Sequence, residues 1–354
     1  MTFKDLKTIM EGTSNLKMNK ILITGGAGYL GSHTALTLLR AGYHVVLFDN
    51  LSTSDMRSVS SINKIFEKKV NFIQGDIRNL QFLSKKMKEF KIDSVIHFAG
   101  FKSVSESIID PLEYYDNNVS GSICLLQAMK QNGIKKIVFS SSATVYGDPS
   151  YLPYDEDHPT EPINPYGRTK LIVEKILKDV ADANQDWSIV SLRYFNPIGA
   201  DESGSIGEFS RSKPENLIPL LIKVANGEIT NLKIFGGDYQ TSDGSPERDF
   251  IHVTDLAKGH LEAINFLDNF KGFQAINLGT GVATSVLHLV KTFEKVNKIK
   301  IPIKIENKRP GDLPSYYANP SKALKLLHWK TENSIESMCE SAWRFDCKSN
   351  KLGI

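Results

Sequence analysis

A chain of 354 residues is long for a single hydrophobic core, so two domains or lobes are expected. Hydrophobic residues make up 41% of the chain and charged residues 23%, which is typical of a globular protein. The formal net charge of +3 is too small to indicate a nucleic-acid partner, and no apolar run is long enough to span a membrane. We therefore expect neither nucleic-acid binding nor membrane insertion.

The N-terminal 18 residues differ from the rest of the chain. Residues 1–17 mix charged with apolar side chains and lack a continuous apolar segment, which argues against a secretory signal. We assign residues 1–18 as an N-terminal extension. Either this extension is dispensable, or Met18 is the true start.

The first half of the chain alternates strand-like and helix-like segments. β-Branched and apolar runs recur, and the segments between them have the periodicity of helices. Alternation of this kind predicts an α/β fold, a doubly wound parallel (Rossmann) sheet with helices on both faces, over residues 19–193. The predicted strands are 20–24, HVVLFD (44–49), NFIQGD (71–76), SVIHFAG (94–100) and KIVFSSS (136–142).

The second half is less regular and is predicted to form a smaller C-terminal α/β substrate lobe, 194–354. Its sequence suggests a helix at 216–227, a short strand and turn at 232–239, and a turn at 277–281. A segment at about 245–265 is expected to return to the first domain.

Glycines follow the first strand at the spacing that a dinucleotide requires. Gly25, Gly28 and Gly31 lie between the strand and its helix, and Gly26 with the latter two also satisfies G-x-G-x-x-G. A side chain here would block the tight turn, the approach of a pyrophosphate or helix–strand packing. Asp49 ends the second strand, 18 residues after Gly31. Its carboxylate can accept both hydroxyls of a ribose and would repel a 2′-phosphate, so NAD is favoured over NADP.

Asp76 follows the third strand. There it is placed to reach an adenine edge. The alternative is an acid that only caps its own loop.

Two side chains on one predicted helix form a candidate catalytic pair. Tyr166 and Lys170 lie one turn apart on the same face of the helix predicted over 164–180. A phenol has an ordinary pKa of about 10 and is a poor base at neutral pH, but a nearby ammonium favours the phenolate. The lysine can also hold a nicotinamide ribose.

A third catalytic member is expected to be a hydroxyl that bridges the substrate oxygen to the base. SSSATVYG (140–147) supplies serines at the carboxyl end of a strand, where doubly wound folds bind ligands. We predict Ser142 for this role, with Ser141 as the alternative.

Eight segments in chain order resemble the extended short-chain dehydrogenase/reductase family, and within it the UDP-glucose 4-epimerases: TGGAGYLGSHT, DNLSTS, GDIRN, VIHFAG, PLEYYDNNV, FSSSATVYGD, PYGRTKL and LRYFNPIGA. The likeness runs from about Asn19 to at least Trp343. Only the N-terminal extension lacks a counterpart.

The resemblance implies an NAD-dependent isomerase of galactose metabolism. Such an enzyme interconverts UDP-glucose and UDP-galactose through transient oxidation at sugar C4, rotation of the 4-keto sugar and return of the hydride to its other face. NAD is implied to stay tightly bound and to be regenerated in each turnover. Tyr166 is implied to be the base, Lys170 to lower its pKa and anchor the cofactor, and Ser142 to bridge to the 4-oxygen.

The same resemblance implies which residues contact NAD. Besides the catalytic pair they are Gly25, Gly28, Tyr29, Leu30, Gly31, Asp49, Asn50, Leu51, Ser52, Thr53, Ser54, Asp76, Ile77, Phe98, Ala99, Gly100, Phe101, Lys102, Asn117 and Phe195. Ordinary helix packing is the alternative for Asn117 and Phe195.

The residues implied to contact the UDP-sugar come mainly from the second half. They are Ser142, Tyr166, Asn196, Asn216, Leu217, Lys233, Ile234, Phe235, Arg248, Arg309, Asp312 and Tyr316. The two arginines match phosphate-gripping residues, for which surface ion pairing is the alternative. Tyr316 matches a position beside sugar C2, where a bulky residue tends to exclude an N-acetyl group.

Other chemistries on this fold fit less well. A 4,6-dehydratase needs an acid and a base after the catalytic serine or threonine, where this chain has Ala143 and Thr144. A non-catalytic NAD-binding protein would be expected to lose Tyr166 or Lys170. A net dehydrogenase that releases NADH stays open.

The resemblance also implies a homodimer formed through helices at about 111–132 and 165–184. Apolar residues recur on both predicted helices, at Leu125, Leu126, Met129, Leu171, Ile172 and Ile176. Their periodicity fits either a dimer interface or the core of one chain.

Overall fold

The computed structural model describes residues 19–209, 216–309 and 311–352, so the predicted extension 1–18 lies outside it. Within these residues seven strands form one parallel sheet in the order β11-β6-β5-β4-β1-β2-β3. The strands are β1 (Lys20–Thr24), β2 (His44–Asp49), β3 (Asn71–Gln74), β4 (Ser94–His97), β5 (Lys136–Ser142), β6 (Ser188–Tyr194) and β11 (Gly272–Leu278).

Helices cover both faces of this sheet because successive strand residues point to opposite sides. Ile21 and Ile23 pack into one hydrophobic cluster, and Leu22 between them packs into the other. The first cluster includes α1 (Tyr29–Arg40), α2 (Met56–Phe66), α9 (Val253–Leu267) and α11 (Ser321–Leu327). The second includes α3 (Leu80–Phe90), α6 (Gly121–Gln131) and α7 (Pro165–Ala183).

Two strands of the sheet are not among those predicted from the sequence pattern. β6 carries two serines and an arginine, which interrupt the apolar run expected of a buried strand, yet every residue of it is buried. β11 lies at the edge of the sheet and its first half is only partly buried, so its apolar signal is weak. The predicted return at about 245–265 therefore continues to Leu278. The boundary between the two lobes stays a prediction.

The second lobe packs three helices around its own hydrophobic cluster, in which Leu221, Phe293 and Cys339 are fully buried. These helices are α8 (Leu217–Ala225), α10 (Val286–Asn297) and α12 (Ile335–Leu352). Short strands pair beside them, β7 (Asn196–Ile198) with β10 (Phe250–His252), β8 (Leu232–Phe235) with β13 (Ile303–Glu306), and β9 (Glu247–Arg248) with β12 (Thr284–Ser285).

A helical segment follows β4 on the way to α6. It consists of α4 (Val104–Ile109), α5 (Pro111–Tyr114) and a π-helical stretch, Tyr115–Ser120. A further single turn, Ala143–Val145, follows β5. No helix in the described part of the chain combines the length and apolar character needed to cross a membrane.

Candidate active site

The glycine turn after β1 has no room for a side chain at Gly25 or Gly31. Gly25 has a φ of 68°, in the left-handed region, and a Cβ there would lie 2.8 Å from the backbone nitrogen of Ala99. A Cβ on Gly31 would lie 2.2 Å from the carbonyl oxygen of Gly25. Gly28 precedes α1 as its N-cap residue and makes no side-chain capping hydrogen bond, which leaves the positive end of the helix to a ligand. The cradle fits the diphosphate of a dinucleotide.

Asp49 lies beside this cradle and is almost fully buried. One carboxylate oxygen accepts from the backbone nitrogen of Ala27 at 3.0 Å. The other accepts from the Leu51 nitrogen and the Ser54 hydroxyl, both at 2.8 Å. An ionised carboxylate offers about four lone-pair sites, so Asp49 keeps acceptor capacity for a ribose hydroxyl. It also joins the glycine turn to the predicted 50–54 segment.

Asp76 is engaged by Arg78, a residue the sequence analysis did not single out. The carboxylate accepts from the backbone nitrogen, Nε and Nη2 of Arg78 and from the Asn50 amide at 3.3 Å. The Arg78 hydrogen bonds lower the pKa of Asp76 to about 2. These contacts are those of the loop-capping alternative, and the contact with adenine stays a prediction. Ile77 beside it is buried.

The segment after β4 is held by Asn118, which the sequence analysis also missed. The Asn118 amide accepts from the Phe101 nitrogen at 2.8 Å and donates to the Phe101 carbonyl at 3.1 Å. Asn117 is buried and donates to Asn118 at 3.0 Å. Both asparagines lie in the π-helical stretch, a conformation frequent at functional sites. The predicted cofactor segment 98–102 is thereby fixed at the carboxyl edge of the sheet.

Lys102 is exposed and reaches across to the second lobe. Its Nζ lies 2.9 Å from a carboxylate oxygen of Glu208, and that same oxygen accepts from the Asn216 amide at 2.8 Å. Asn216 begins α8, directly before Leu217. The structure thus brings together a predicted cofactor residue and a predicted substrate residue, and Glu208 joins them.

The candidate catalytic pair sits at the start of α7. Asn164 caps this helix by accepting from the Gly167 nitrogen at 2.8 Å, and Pro165 occupies its first position. The cap fixes where the helix begins and so places Tyr166 in the first turn. The Lys170 Nζ lies 5.8 Å from the centre of the Tyr166 ring and donates to the Ser140 carbonyl at 2.7 Å.

Burial shifts the pKa values of both members in opposite directions. Desolvation raises the pKa of Tyr166, and a hydrogen bond with the Ser142 hydroxyl opposes this effect. Desolvation lowers the pKa of Lys170 to about 8, opposed by the charge of Glu174. Loss of water disfavours the charged form of each group. Burial alone therefore favours a neutral phenol and a neutral amine, and a further positive charge is needed to favour the phenolate.

The two candidate serines occupy different environments. The Ser142 hydroxyl lies near enough to Tyr166 to lower its pKa, and it accepts from the Thr144 nitrogen at 3.2 Å and from the Thr144 hydroxyl at 2.9 Å. Ser141 instead donates to Glu174 in the interior. The contact with Tyr166 favours Ser142 for the bridging role, and this assignment stays a prediction.

Aromatic side chains and one unsatisfied amide lie at the start of the second lobe. Phe195 is buried, with its ring centre 5.0 Å from that of Tyr316, and the Tyr154 ring lies 5.3 Å from Tyr316. The buried Oδ1 of Asn196 has no partner among the described residues. A buried polar atom without a partner is costly, so Asn196 is suited to contact a polar ligand.

Two arginines approach the same lobe. The Arg309 guanidinium lies 3.6 Å from the centre of the Phe235 ring, and Arg248 lies 3.6 Å from a carboxylate oxygen of Asp312. Desolvation lowers the pKa of Arg248 from its ordinary value. The Lys233 side chain is exposed and that of Ile234 is buried, so Ile234 can meet a ligand through its backbone only.

The sequence model of the NAD dependent epimerase/dehydratase family matches residues 21–279. Over 332 residues, 94% of this chain and 98% of the relative, the sequence is 50% identical to a UDP-glucose 4-epimerase of Pasteurella multocida (strain Pm70).

Two solved structures have the same fold over nearly their whole length. One is UDP-glucose 4-epimerase from Stenotrophomonas maltophila with bound NAD and formylated UDP-arabinopyranose, with a TM-score of 0.92, 44% identity, and coverage of 95% of this chain and 99% of that one. The other is UDP-glucose 4-epimerase from Bifidobacterium longum in complex with NAD+ and UDP, with a TM-score of 0.90, 46% identity, and coverage of 95% and 100%.

Proposed function

The chain belongs to the NAD dependent epimerase/dehydratase family, and we propose that it interconverts UDP-glucose and UDP-galactose by inverting sugar C4, as a step of galactose metabolism. One observation carries this proposal. Tyr166, Lys170 and Ser142 come together at the carboxyl end of β5, in a domain whose glycine turn fits a dinucleotide. The first two can hold and move a proton, and the third can orient the substrate oxygen.

NAD would be held by the glycine turn, Asp49 and Lys170, and when bound it supplies the reversible oxidation at C4. Tyr166 takes the proton of the 4-hydroxyl through its phenol oxygen. Ser142, whose hydroxyl lowers the pKa of Tyr166, orients the 4-oxygen toward it. Lys170 supplies the positive charge that favours the phenolate. The 4-keto sugar turns about its link to UDP, and Tyr166 returns the proton to the opposite epimer.

The UDP part is proposed to bind along the second lobe. Phe235 offers an aromatic face for the uracil, with the Arg309 guanidinium already beside it. Arg248 and Arg309 supply cations for the two phosphates, since the guanidinium fork matches phosphate oxygens. Asp312 can accept from the ribose hydroxyls, and the unpartnered Oδ1 of Asn196 can accept from the sugar.

Tyr316 is proposed to restrict the substrate beside sugar C2. Its ring packs against Phe195 and Tyr154, so it is held in place rather than free to turn away. A fixed phenol ring leaves less room for an N-acetyl group than a small side chain does. The proposed preference is for UDP-glucose and UDP-galactose over their N-acetylated counterparts.

A homodimer is the proposed assembly. Leu125, Leu126 and Met129 of α6 are buried in the core of this chain, so they are not available to a partner. Leu171 and Ile176 pack against hydrophobic clusters of the same chain, and Ile172 is partly exposed. The large apolar side chains that α4 to α6 do expose are Val104, Ile108, Ile109, Leu112 and Ile123. Several exposed apolar side chains on neighbouring helices are what a partner subunit could cover.

The test of the assembly is sedimentation of the purified protein. A dimer mass that Leu112→Glu converts to a monomer mass supports the assignment, and a monomer mass for the unchanged chain contradicts it. We also propose a cytoplasmic location, because Cys124, Cys339 and Cys347 are odd in number, lack metal-ligand spacing and are typical of reduced thiols.

The test of the activity is incubation of the purified protein with UDP-galactose without added NAD, followed by separation of the nucleotide sugars. UDP-glucose without accumulating NADH is the expected result. Stoichiometric NADH on addition of NAD, with no UDP-glucose, would instead indicate a net dehydrogenase. No turnover even with NAD would contradict the proposal.

A further inference from the structure

Three consecutive serines of β5 each meet one residue of α7. Ser142 contacts Tyr166, the Ser140 carbonyl accepts from Lys170, and the Ser141 hydroxyl donates to Glu174. The three partners are spaced four residues apart, so they form a single face of the helix. The proposed function uses the first two contacts. It leaves the third, between Ser141 and Glu174, without a role.

Glu174 is a buried carboxylate with every contact made inside the protein. Its side chain is 4% exposed, and besides Ser141 it accepts from Arg193 of β6, at 3.0 Å from Nε to Oε1 and at 2.6 Å from Nη2 to Oε2. Burying an ion pair is expensive, and such a pair is weak evidence for stability. Its fixed geometry, however, ties α7 to two strands of the sheet at once.

The polar network continues from Arg193 toward Tyr316, which is proposed to lie beside sugar C2. Arg193 Nη1 donates to the Tyr146 hydroxyl at 3.1 Å, which donates to the Asn277 amide oxygen of β11 at 2.6 Å. The Asn277 amide in turn donates to the carbonyl of Tyr154, whose ring contacts Tyr316. One network of buried hydrogen bonds thus connects Ser141 of β5 with Tyr154, the residue that packs against Tyr316.

We propose that Glu174 is a positioning residue for the reaction, acting through Ser141 to hold α7 in register with the end of β5. In this register Lys170 reaches the Ser140 carbonyl and Tyr166 reaches Ser142. The inference rests on the proposed function of the same site. A proton transfer depends steeply on the placement of the acid and the base, so a small slip of α7 lowers kcat more than it weakens substrate binding.

Ser141→Ala is the direct test, because it removes the contact with Glu174 and keeps the Glu174–Arg193 ion pair. Ser191→Ala is the matched control, since Ser191 is a buried serine of β6 whose hydroxyl has no partner in the described residues. We expect Ser141→Ala to lower kcat about 10-fold with KM changed less than about 2-fold, and Ser191→Ala to leave both near the wild-type values. Equal melting temperatures of the two variants exclude a general loss of stability.

Glu174→Gln tests whether Ser141 acts through Glu174. The double variant Ser141→Ala/Glu174→Gln is expected to be no slower than Glu174→Gln alone, since residues that act as a unit are not additive. If Glu174→Gln does not fold, the Ser141→Ala comparison decides. Ser141→Ala with wild-type kcat, or with a loss matched by Ser191→Ala, would overturn the inference.

A second readout separates this inference from the proposed function. If the unchanged protein converts no UDP-galactose, the proposed function fails, and the ultraviolet titration of the Tyr166 phenolate decides instead. Subtraction of the matching Tyr166→Phe variant isolates that one tyrosine. The pKa of Tyr166 is expected to rise in Ser141→Ala, because a slip of α7 moves Tyr166 away from the Ser142 hydroxyl, which lowers that pKa, and an unchanged pKa would overturn the positioning role.

Discussion

The Lys170 ammonium lies 5.8 Å from the centre of the Tyr166 ring, and its position is fixed by donation to the Ser140 carbonyl at 2.7 Å. One cation therefore neighbours one phenol, and the lysine is buried while the tyrosine is partly buried. In such surroundings a charge acts more strongly than it does in bulk water.

Replacement of Tyr166 by phenylalanine is expected to lower kcat by about 10³-fold, within the range for loss of a general base, and to change KM little. The ring is retained, so only the proton-carrying oxygen is lost. Steady-state kinetics with UDP-galactose measure both constants. Tyr151→Phe is the control, because Tyr151 is exposed and hydrogen-bonds to Asp155 away from the site. A Tyr166→Phe variant with near wild-type kcat would remove Tyr166 from the mechanism.

Lys170 is expected to set the alkaline limit of activity. Its pKa is lowered to about 8, so the ammonium that favours the Tyr166 phenolate is present below that pH and is lost as pH rises through it. The profile of kcat should therefore fall above about pH 8. Lys170→Arg keeps its charge at all these pH values, and its alkaline decline should move upward although its maximal kcat is lower. An identical alkaline limb in both proteins would show that another group is responsible.

Gly31→Ala is expected to reduce the NAD that the purified protein retains by at least about 10-fold, because its Cβ would lie 2.2 Å from the Gly25 carbonyl oxygen and distort the cradle. The measurement is NAD released per chain on denaturation. Gly133→Ala is the control, since a Cβ on Gly133 meets nothing within 4 Å, although Gly133, unlike Gly31, has a positive φ. Its NAD content should equal that of the unchanged protein. Full retention by Gly31→Ala would argue against the proposed diphosphate site.

Tyr316→Ser is expected to raise turnover of UDP-N-acetylglucosamine relative to UDP-glucose by about 10-fold or more, because it removes the ring that packs on Phe195. The ratio of kcat/KM for the two sugars is the measurement. Tyr317→Ser controls for the loss of a neighbouring tyrosine. Comparable turnover of both sugars by the unchanged protein would contradict the predicted preference from the start.

Acid should destabilise the fold through buried histidines. His260 of α9 is fully buried, with Nδ1 donating to the Leu256 carbonyl and Nε2 accepting from the Tyr194 hydroxyl. Burial lowers its pKa to about 4. As pH falls, His260 takes up a proton in the unfolded chain before it does so in the folded chain. The free energy of unfolding therefore falls between about pH 6.5 and pH 4, by about 3 kcal/mol in total.

Thermal denaturation at pH 7 and pH 5 measures this loss. His260→Gln keeps a donor and an acceptor but does not titrate, so its melting temperature should fall less between the two pH values. His97 has a pKa lowered by burial to about 3 and should contribute in the same direction. Equal falls for the His260→Gln variant and the unchanged protein would contradict the prediction for His260.

The sequence predicted best those features that depend on residues close to one another in the chain. The turn with Gly25, Gly28 and Gly31 and the strand end at Asp49 lie within one βαβ unit, and the structure places them together. Tyr166 and Lys170 share a helix whose start is fixed by the adjacent Asn164 and Pro165. In each case the relevant partners are close in sequence or are imposed by the order of strands and helices.

The features that the sequence did not reveal depend on residues far apart in the chain. Glu174 gains its role from Ser141, 33 residues away, and Glu208 from Lys102, 106 residues away. A glutamate in a helix or loop has no periodicity that marks it as buried or bridging. β11 was missed for a related reason, because it is an edge strand that becomes recognisable only beside β6.

The most direct test of the central claim is turnover of UDP-galactose carrying deuterium at C4, in ordinary water and without added NAD. If the site oxidises C4 and restores it within one turnover, UDP-glucose should form with the deuterium still at C4 and with no NADH accumulating. Deuterium lost to the solvent, or no UDP-glucose at all, would contradict the account.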